Sequence, residues 1–184
     1  MKTITQKIIT LAIVLLPCIS NAQSIFDKIF EKYDGKPGYT CVSVSNDMFH
    51  LFASMANSPD SSTVEMREMM NRLTGLRVVT CDVDATTPLA RAIAFYNEAA
   101  AAFPQPAYQE LMKVDDKDEH ILFLTKKDAG GTIRELVMLV KSNLQGVAMR
   151  ITGNINLHTV SLLSRVMDIK GMENLKEEKE GRRK

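Results

Sequence analysis

The chain has 184 residues, with 23 lysines and arginines against 22 aspartates and glutamates. Because the charges balance, the chain has no excess of positive charge with which to bind nucleic acid or an anionic membrane surface. Tryptophan is absent and there are only three cysteines, which argues against stacking platforms for bases or sugars and against a disulfide-framework domain.

The first 22 residues have the three parts of a secretory signal peptide. A basic start with Lys2 and Lys7 precedes an uncharged apolar run over residues 8–16, and small residues at 20–22 suit a signal peptidase. The apolar run is far shorter than the ~20 residues that span a bilayer. We therefore expect residues 1–22 to be removed on export, which leaves a periplasmic or secreted protein with no membrane span.

Two other fates of the N-terminus compete with cleavage before Gln23. The short apolar run disfavours an uncleaved anchor. Pro17 disfavours lipidation of Cys18, because the lipoprotein signal requires a small residue before its cysteine. We expect one domain over residues 23–170, followed by a charged and disordered tail over residues 171–184.

The first half of the mature chain alternates between helical and strand patterns. Apolar residues at helical spacing predict four helices, with Ser24 and Thr87 as caps and Asp27 on the polar face of the first helix. Alternating β-branched residues predict two strands. The predicted helices cover residues 24–33, 47–56, 62–74 and 87–103, and the strands cover residues 39–45 and 76–83.

The second half consists of strands joined by short polar turns, which imply an antiparallel meander. Because helices precede and follow one sheet, the predicted class is α+β. We expect a single mixed sheet with a C-terminal antiparallel meander, helices mainly on one face, and right-handed crossovers into the two early strands. The meander covers residues 109–114, 119–126, 133–141 and 147–153, and a last helix covers residues 157–167.

Three sets of side chains resemble metal ligands, and each has a plainer interpretation. An acidic cluster offers the oxygens that calcium prefers, but it lacks the calcium-loop spacing and suits a solvated turn. Methionines at helical spacing suit Cu(I), yet that spacing also makes a core stripe. Three histidines lie on separate elements without zinc-ligand spacing. The sets are Asp115, Asp116, Asp118 and Glu119; Met66, Met69 and Met70; and His50, His120 and His158.

No arrangement of nucleophile and base indicates an enzyme. The chain lacks a Gly-x-Ser-x-Gly elbow, and Cys41 with a distant histidine is a generic combination. Gly130-Gly131 leads into a strand and not into a helix, so it cannot begin a phosphate-binding helix. We therefore predict a non-enzymatic protein without catalytic, cofactor-binding or metal-binding residues and without a cofactor.

Export favours a disulfide between the two cysteines that remain after cleavage, but the strand pattern argues for free thiols. Alternation places Cys41 on the face of its strand opposite Val42 and Val44, and it places Cys81 on the apolar face of its own strand. If both apolar faces meet one core, the two sulfur atoms point to opposite sides of the sheet. That arrangement forbids a bridge.

The order of these segments carries a family resemblance. The chain resembles the uncharacterised Bacteroidetes envelope family called domain of unknown function 4252, over residues 24–167. The resemblance implies an envelope or secreted location and brings no established activity, substrate or catalytic residue. The matching segments are residues 26–33, 39–45, 48–49, 110–112, 120–124, 133–136, 147–155 and 157–167.

Export, balanced charge and the lack of catalytic motifs favour a non-enzymatic envelope module that binds a protein or peptide partner, since a sheet edge can accept an added strand. The alternative is a small-ligand or lipid-binding domain with an apolar pocket between helices and sheet. A hydrolase is the third hypothesis, because catalytic groups can converge in space without a sequence motif.

Overall fold

The computed structural model describes residues 24–56 and 61–156, which form four helices and six strands. None of these helices is long and apolar enough to cross a membrane. The predicted signal peptide at 1–22, the last helix at 157–167 and the tail at 171–184 lie outside the described residues. The helices are α1 (Ile25–Tyr33), α2 (Asn46–Met55), α3 (Ser61–Arg72) and α4 (Leu89–Ala102). The strands are β1 (Thr40–Ser45), β2 (Leu73–Asp82), β3 (Gln109–Asp115), β4 (Glu119–Lys127), β5 (Ile133–Ser142) and β6 (Gln145–Ile155).

The strands form one sheet in the order β1-β2-β6-β5-β4-β3, which confirms the α+β class and the C-terminal meander. Side chains fix the hairpin turns of the meander. Between β4 and β5, Asp128 Oδ1 accepts the backbone N–H groups of Gly130 and Thr132, both at 3.0 Å. Between β5 and β6, Ser142 Oγ accepts the N–H of Gln145 at 3.2 Å. The polar turn residues therefore set the strand register, as short hairpin loops do.

Every pairing in the sheet is antiparallel, so the expectation of a mixed sheet is wrong. Two helices, α2 and α3, lie between β1 and β2 and return the chain to the end of the sheet where β1 stopped, so Ser45 pairs with Gly75. One helix, α4, leads from β2 to β3 at the far edge, with three strands between them. Because β1 and β2 are antiparallel neighbours, the right-handed crossover rule does not apply to the connection between them.

Helices cover both faces of the sheet, where the sequence led us to expect mainly one. Phe26 of α1 and Phe95 of α4 are buried together against one face. Phe49 of α2 is buried against the opposite face, and α3 contacts α2. The cause lies in the strands, because residues 136–140 of β5 are buried at every position. A strand with consecutive buried residues needs cover on both sides.

Both predicted capping side chains have a different role. Ser24 precedes α1 but makes no capping bond, and its Oγ donates to Glu135 Oε1 at 3.3 Å. Thr87 does not cap α4, and its backbone N–H donates to Asp84 Oδ1 at 2.7 Å. Hydrogen bonds from Thr86 and Thr87 hold the pKa of Asp84 below its usual range. Asp84 therefore orders the turn that leads into α4.

The methionine stripe of α3 is less buried than its spacing predicts. Met66 is 42% exposed, and Met69 and Met70 are half-buried. Leu73 continues the spacing and is buried, but it belongs to β2. The stripe therefore lies at the margin of a core and does not fill its centre.

Cys41 and Cys81 are free thiols, as predicted, but the reasoning from opposite faces is wrong. Cys41 pairs with Val79, which precedes Cys81 by two residues on β2, so both thiols lie on one face. The expectation failed because each face has its own core. Val44 packs in one core, and Val79 and Cys81 are buried in the other. Diagonal neighbours have Cα atoms about 7–8 Å apart, beyond the ~6.8 Å limit for a disulfide.

Candidate functional site

Helix α2 presents an apolar stripe to solvent. Met48, Leu51, Phe52 and Met55 are between 42% and 68% exposed, and their spacing places them on one side of the helix. Phe49 is buried on another side. We call these four exposed residues the α2 stripe. An exposed apolar stripe of this kind is a candidate site of interaction.

Strand β1 forms an unprotected edge of the sheet. It pairs with β2, and no described strand pairs with its other side. Val42 is 46% exposed and shares a face with Val44, which packs in the core beneath α2. Residues 40–45 contain no charge and no proline, and their pairing with β2 has no register shift. Such an edge is a template for pairing with another chain.

The opposite edge, β3, is protected in the ways that β1 is not. It carries Glu110, Lys113 and Asp115, and its register with β4 shifts between Glu110 and Met112. Asp115 pairs with Lys113 at 2.5 Å and with His120 at 2.7 Å. The hydrogen bond from Lys113, and then that from His120, holds the pKa of Asp115 below its usual range. Charges and bulges prevent edge-to-edge pairing, so the two edges differ in their capacity to accept a strand.

A charged network lies between α1 and the sheet. Asp27 Oδ1 accepts a hydrogen bond from Arg77 Nη1 at 2.6 Å and forms an ion pair with Arg150 Nη2 at 2.8 Å. The side chain of Arg150 is only 11% exposed and lies over the ring of Phe26. Its Nη1 is 3.9 Å from Glu135 Oε1. Two carboxylates thus balance two guanidinium groups, which is what burial of charge requires.

Glu135 extends this network towards the loop before β3. Its Oε1 accepts a hydrogen bond from the Tyr108 hydroxyl at 3.0 Å and one from Ser24 Oγ at 3.3 Å. Burial, and then the adjacent Glu135 carboxylate, raises the pKa of Tyr108, so the phenol stays protonated as a donor. The Nε of Arg150 is buried and has no hydrogen-bond partner among the described residues. The arrangement fastens α1 to the sheet.

This network was not predicted, because helical spacing places Asp27 on the polar face of α1. A signal was present in the strands, since Arg77, Glu135 and Arg150 are charged residues within otherwise apolar strand sequences. Charged residues in such positions are rarely buried without a partner. Asp27, the partner of Arg77 and Arg150, lies on α1, which is distant in sequence from both strands.

The candidate metal ligands of the sequence have other partners. In the acidic turn, Asp118 accepts a hydrogen bond from Asn143 at 2.9 Å. His50 bonds to Asn71 at 3.0 Å and so links α2 to α3. Within residues 24–56 and 61–156, no three His, Cys, Asp or Glu side chains are placed to hold a metal ion, and His158 lies outside those ranges.

A polar groove lies where α3 meets β2 and β6. Its volume is about 450 Å³. The small-ligand hypothesis expects an apolar pocket between helices and sheet. This groove has that position, but it is open and most of its lining side chains are polar or charged. The groove is lined by Asn71, Arg72, Thr74, Arg134, Thr152, Gly153 and Asn154.

Comparison with known families gives one match. Residues 33–163 match the family model described as Domain of unknown function (DUF4252). No curated protein and no solved structure matches the chain. The matched range covers most of the chain and includes β1, the α2 stripe and the whole meander. The chain therefore belongs to the DUF4252 family.

Proposed function

We propose that this protein is an exported, non-enzymatic envelope module that binds a protein or peptide partner along β1 and the α2 stripe. One observation carries the proposal: the unprotected edge strand β1 occurs together with an exposed apolar stripe on the helix that follows it. The guarded edge at β3 serves as an internal comparison, because the same sheet protects one edge and leaves the other open.

The chemistry of this surface suits an extended segment added as a further strand. The outward N–H and C=O groups of β1 supply main-chain hydrogen bonds, and its alternating side chains supply specificity. On the α2 face the added strand meets Val42, and on the other face it meets the small side chains of Cys41 and Ser43. The partner segment therefore carries apolar side chains on alternate positions.

The stripe supplies the energy that strand pairing alone lacks. Burial of one apolar side chain of this size contributes roughly 1.5–3 kcal/mol. The four stripe side chains are between 42% and 68% exposed, so covering them gains roughly half of that for each. This gain offsets part of the ~4–15 kcal/mol that association costs in lost freedom of motion. A partner must therefore combine the main-chain hydrogen bonds of β1 with burial of the α2 stripe.

A capture experiment from envelope extract tests the proposal with three baits. They are the wild-type mature chain, Val42→Lys on β1 and Leu111→Lys on β3. Both substitutions replace exposed edge residues, so we expect stability to change by no more than about 0.5 kcal/mol. A partner retained by wild type and Leu111→Lys but lost with Val42→Lys supports the site. A partner retained equally by all three baits contradicts it.

Export has its own test, which is the intact mass of the protein from its native host. We expect a chain that begins at Gln23 without a lipid, because residues 20–22 suit a signal peptidase and Pro17 precedes Cys18. A diacylglyceryl adduct on Cys18, or an intact segment 1–22, would contradict this part of the proposal.

A further inference from the structure

We infer that the partner that β1 accepts is a second copy of this chain, paired edge to edge through the same strand. The inference rests on the proposed function of the surface formed by β1 and the α2 stripe, and it names the occupant of that surface. Three properties of the surface lead to it: its symmetry, its side-chain pattern and its lack of charge.

A two-fold axis perpendicular to the sheet pairs β1 with its own copy in the antiparallel direction. The axis reverses the strand but keeps the α2 face of both sheets on the same side. The ladder then continues through the axis with the antiparallel pairing that all other neighbours in this sheet use. Both α2 stripes lie on one side of the joined sheet, and a two-fold contact of this kind closes on itself without forming a fibre.

When β1 pairs with its own copy, side chains of the same kind lie opposite each other. Val42 and Val44 lie on the α2 face, and Cys41, Ser43 and Ser45 lie on the other. Since the axis keeps every residue on its face, valines of one copy meet valines of the other, and small side chains meet small side chains. An exposed β-branched residue such as Val42 gains from such a cross-strand neighbour.

The absence of charge also favours a copy. In a symmetric pair, a charged residue near the axis meets the same charge on the other copy, and like charges opposite each other are destabilising. Residues 40–45 and the four stripe residues carry no charge, so two copies of β1 approach without this repulsion. The exposed Asp47 lies beside the stripe, at the start of α2. Heterologous partners are usually chosen by complementary charge, and residues 40–45 offer none to complement.

Sedimentation velocity on the mature chain, over a wide range of concentrations, tests the inference. We expect a reversible dimer for wild type and for Leu111→Lys. Val42→Lys and Val42→Glu should each weaken the dimer by more than about tenfold, since each places like charges near the axis. A mixture of Val42→Lys and Val42→Glu should restore a heterodimer, because the two charges then attract. Circular dichroism checks that all variants remain folded.

The outcomes separate this inference from the proposed function. A wild-type chain that stays monomeric overturns the inference, and a captured partner lost with Val42→Lys would then leave the proposed function standing. A dimer unaffected by Val42→Lys also overturns the inference, since the contact then lies elsewhere. If Val42→Lys alters neither the dimer nor the capture of any partner, both fail. Restoration by mixing the two charged variants is the result that a merely structural effect of Val42 would not give.

Discussion

Gly153 of β6 lies against the backbone carbonyl of Arg72, the last residue of α3. A Cβ atom added to Gly153 would overlap that carbonyl oxygen and come within 2.9 Å of the α-carbon of Leu73. The φ angle of Gly153 is +149°, which side-chain-bearing residues rarely adopt. The absence of a side chain at Gly153 thus lets the end of α3 close onto the sheet.

Gly153→Ala should therefore lower the free energy of unfolding by about 3 kcal/mol, because overpacking and backbone strain add. Gly130→Ala is the matched control, since its nearest neighbouring atom is Asp128 Oδ1 at 3.4 Å, and it should cost no more than about 1 kcal/mol. Urea unfolding of both variants measures the difference. Equal losses would mean that α3 does not approach β6 as described.

Arg150→Met should lower the free energy of unfolding by about 3 kcal/mol, because it leaves the Asp27 and Glu135 carboxylates without their shared guanidinium group. Arg134→Met is the control on a neighbouring strand. Arg134 is 54% exposed and pairs with Asp128 at 2.7 Å, so its loss should cost no more than about 1 kcal/mol. Similar costs in chemical denaturation would contradict a buried network beneath α1.

Alkaline pH should destabilise the fold through Tyr108. Burial raises the pKa of Tyr108 in the folded state, whereas the unfolded chain ionises near its ordinary pKa of about 10. The contribution of Tyr108 to stability is therefore fully present below pH ~10, and above that it falls by up to ~1.4 kcal/mol per pH unit. Tyr108→Phe loses a hydrogen bond at neutral pH but lacks this dependence. Urea midpoints of wild type and Tyr108→Phe should converge as pH rises, and parallel curves would rule out the effect.

Both cysteines should react with a maleimide when the oxidised mature protein is denatured without reductant, because their diagonal placement does not suit a disulfide. In the native state, Cys41 should react before Cys81, which is fully buried. Burial raises the pKa of both thiols, so both reactions should be slow at neutral pH. A peptide that joins Cys41 to Cys81 before reduction would refute the prediction.

Local patterns predicted the individual elements well. The hairpin strands of the meander follow from alternation and from turn residues such as Asp128 and Ser142, whose bonds are local in sequence. The order of the strands does not follow from such signals. The insertion of β6 beside β2 is decided by contacts such as that between Thr74 and Thr152, which are 78 residues apart.

The candidate site was only partly visible in the sequence. The helical spacing of Met48, Leu51, Phe52 and Met55 marked an apolar side of α2, but spacing alone does not distinguish a buried side from an exposed one. Burial of the helix is decided by Phe49, on a different side. Likewise, the lack of charge in residues 40–45 becomes informative only once β1 is known to lie at the edge of the sheet.

The position of β2 between β1 and β6 also constrains the order in which the chain folds. β3 to β6 join through neighbouring hairpins, which close quickly because little chain entropy is lost. β1 and β2 come before β6 in the chain, and β6 is the strand that joins them to the rest of the sheet. β6 is also the last of the described strands to be made. A chain threaded from its N-terminus, during synthesis or transport, therefore presents β1 and the α2 stripe before the rest of the sheet exists. For that interval, the surface suited to pairing is also open to aggregation.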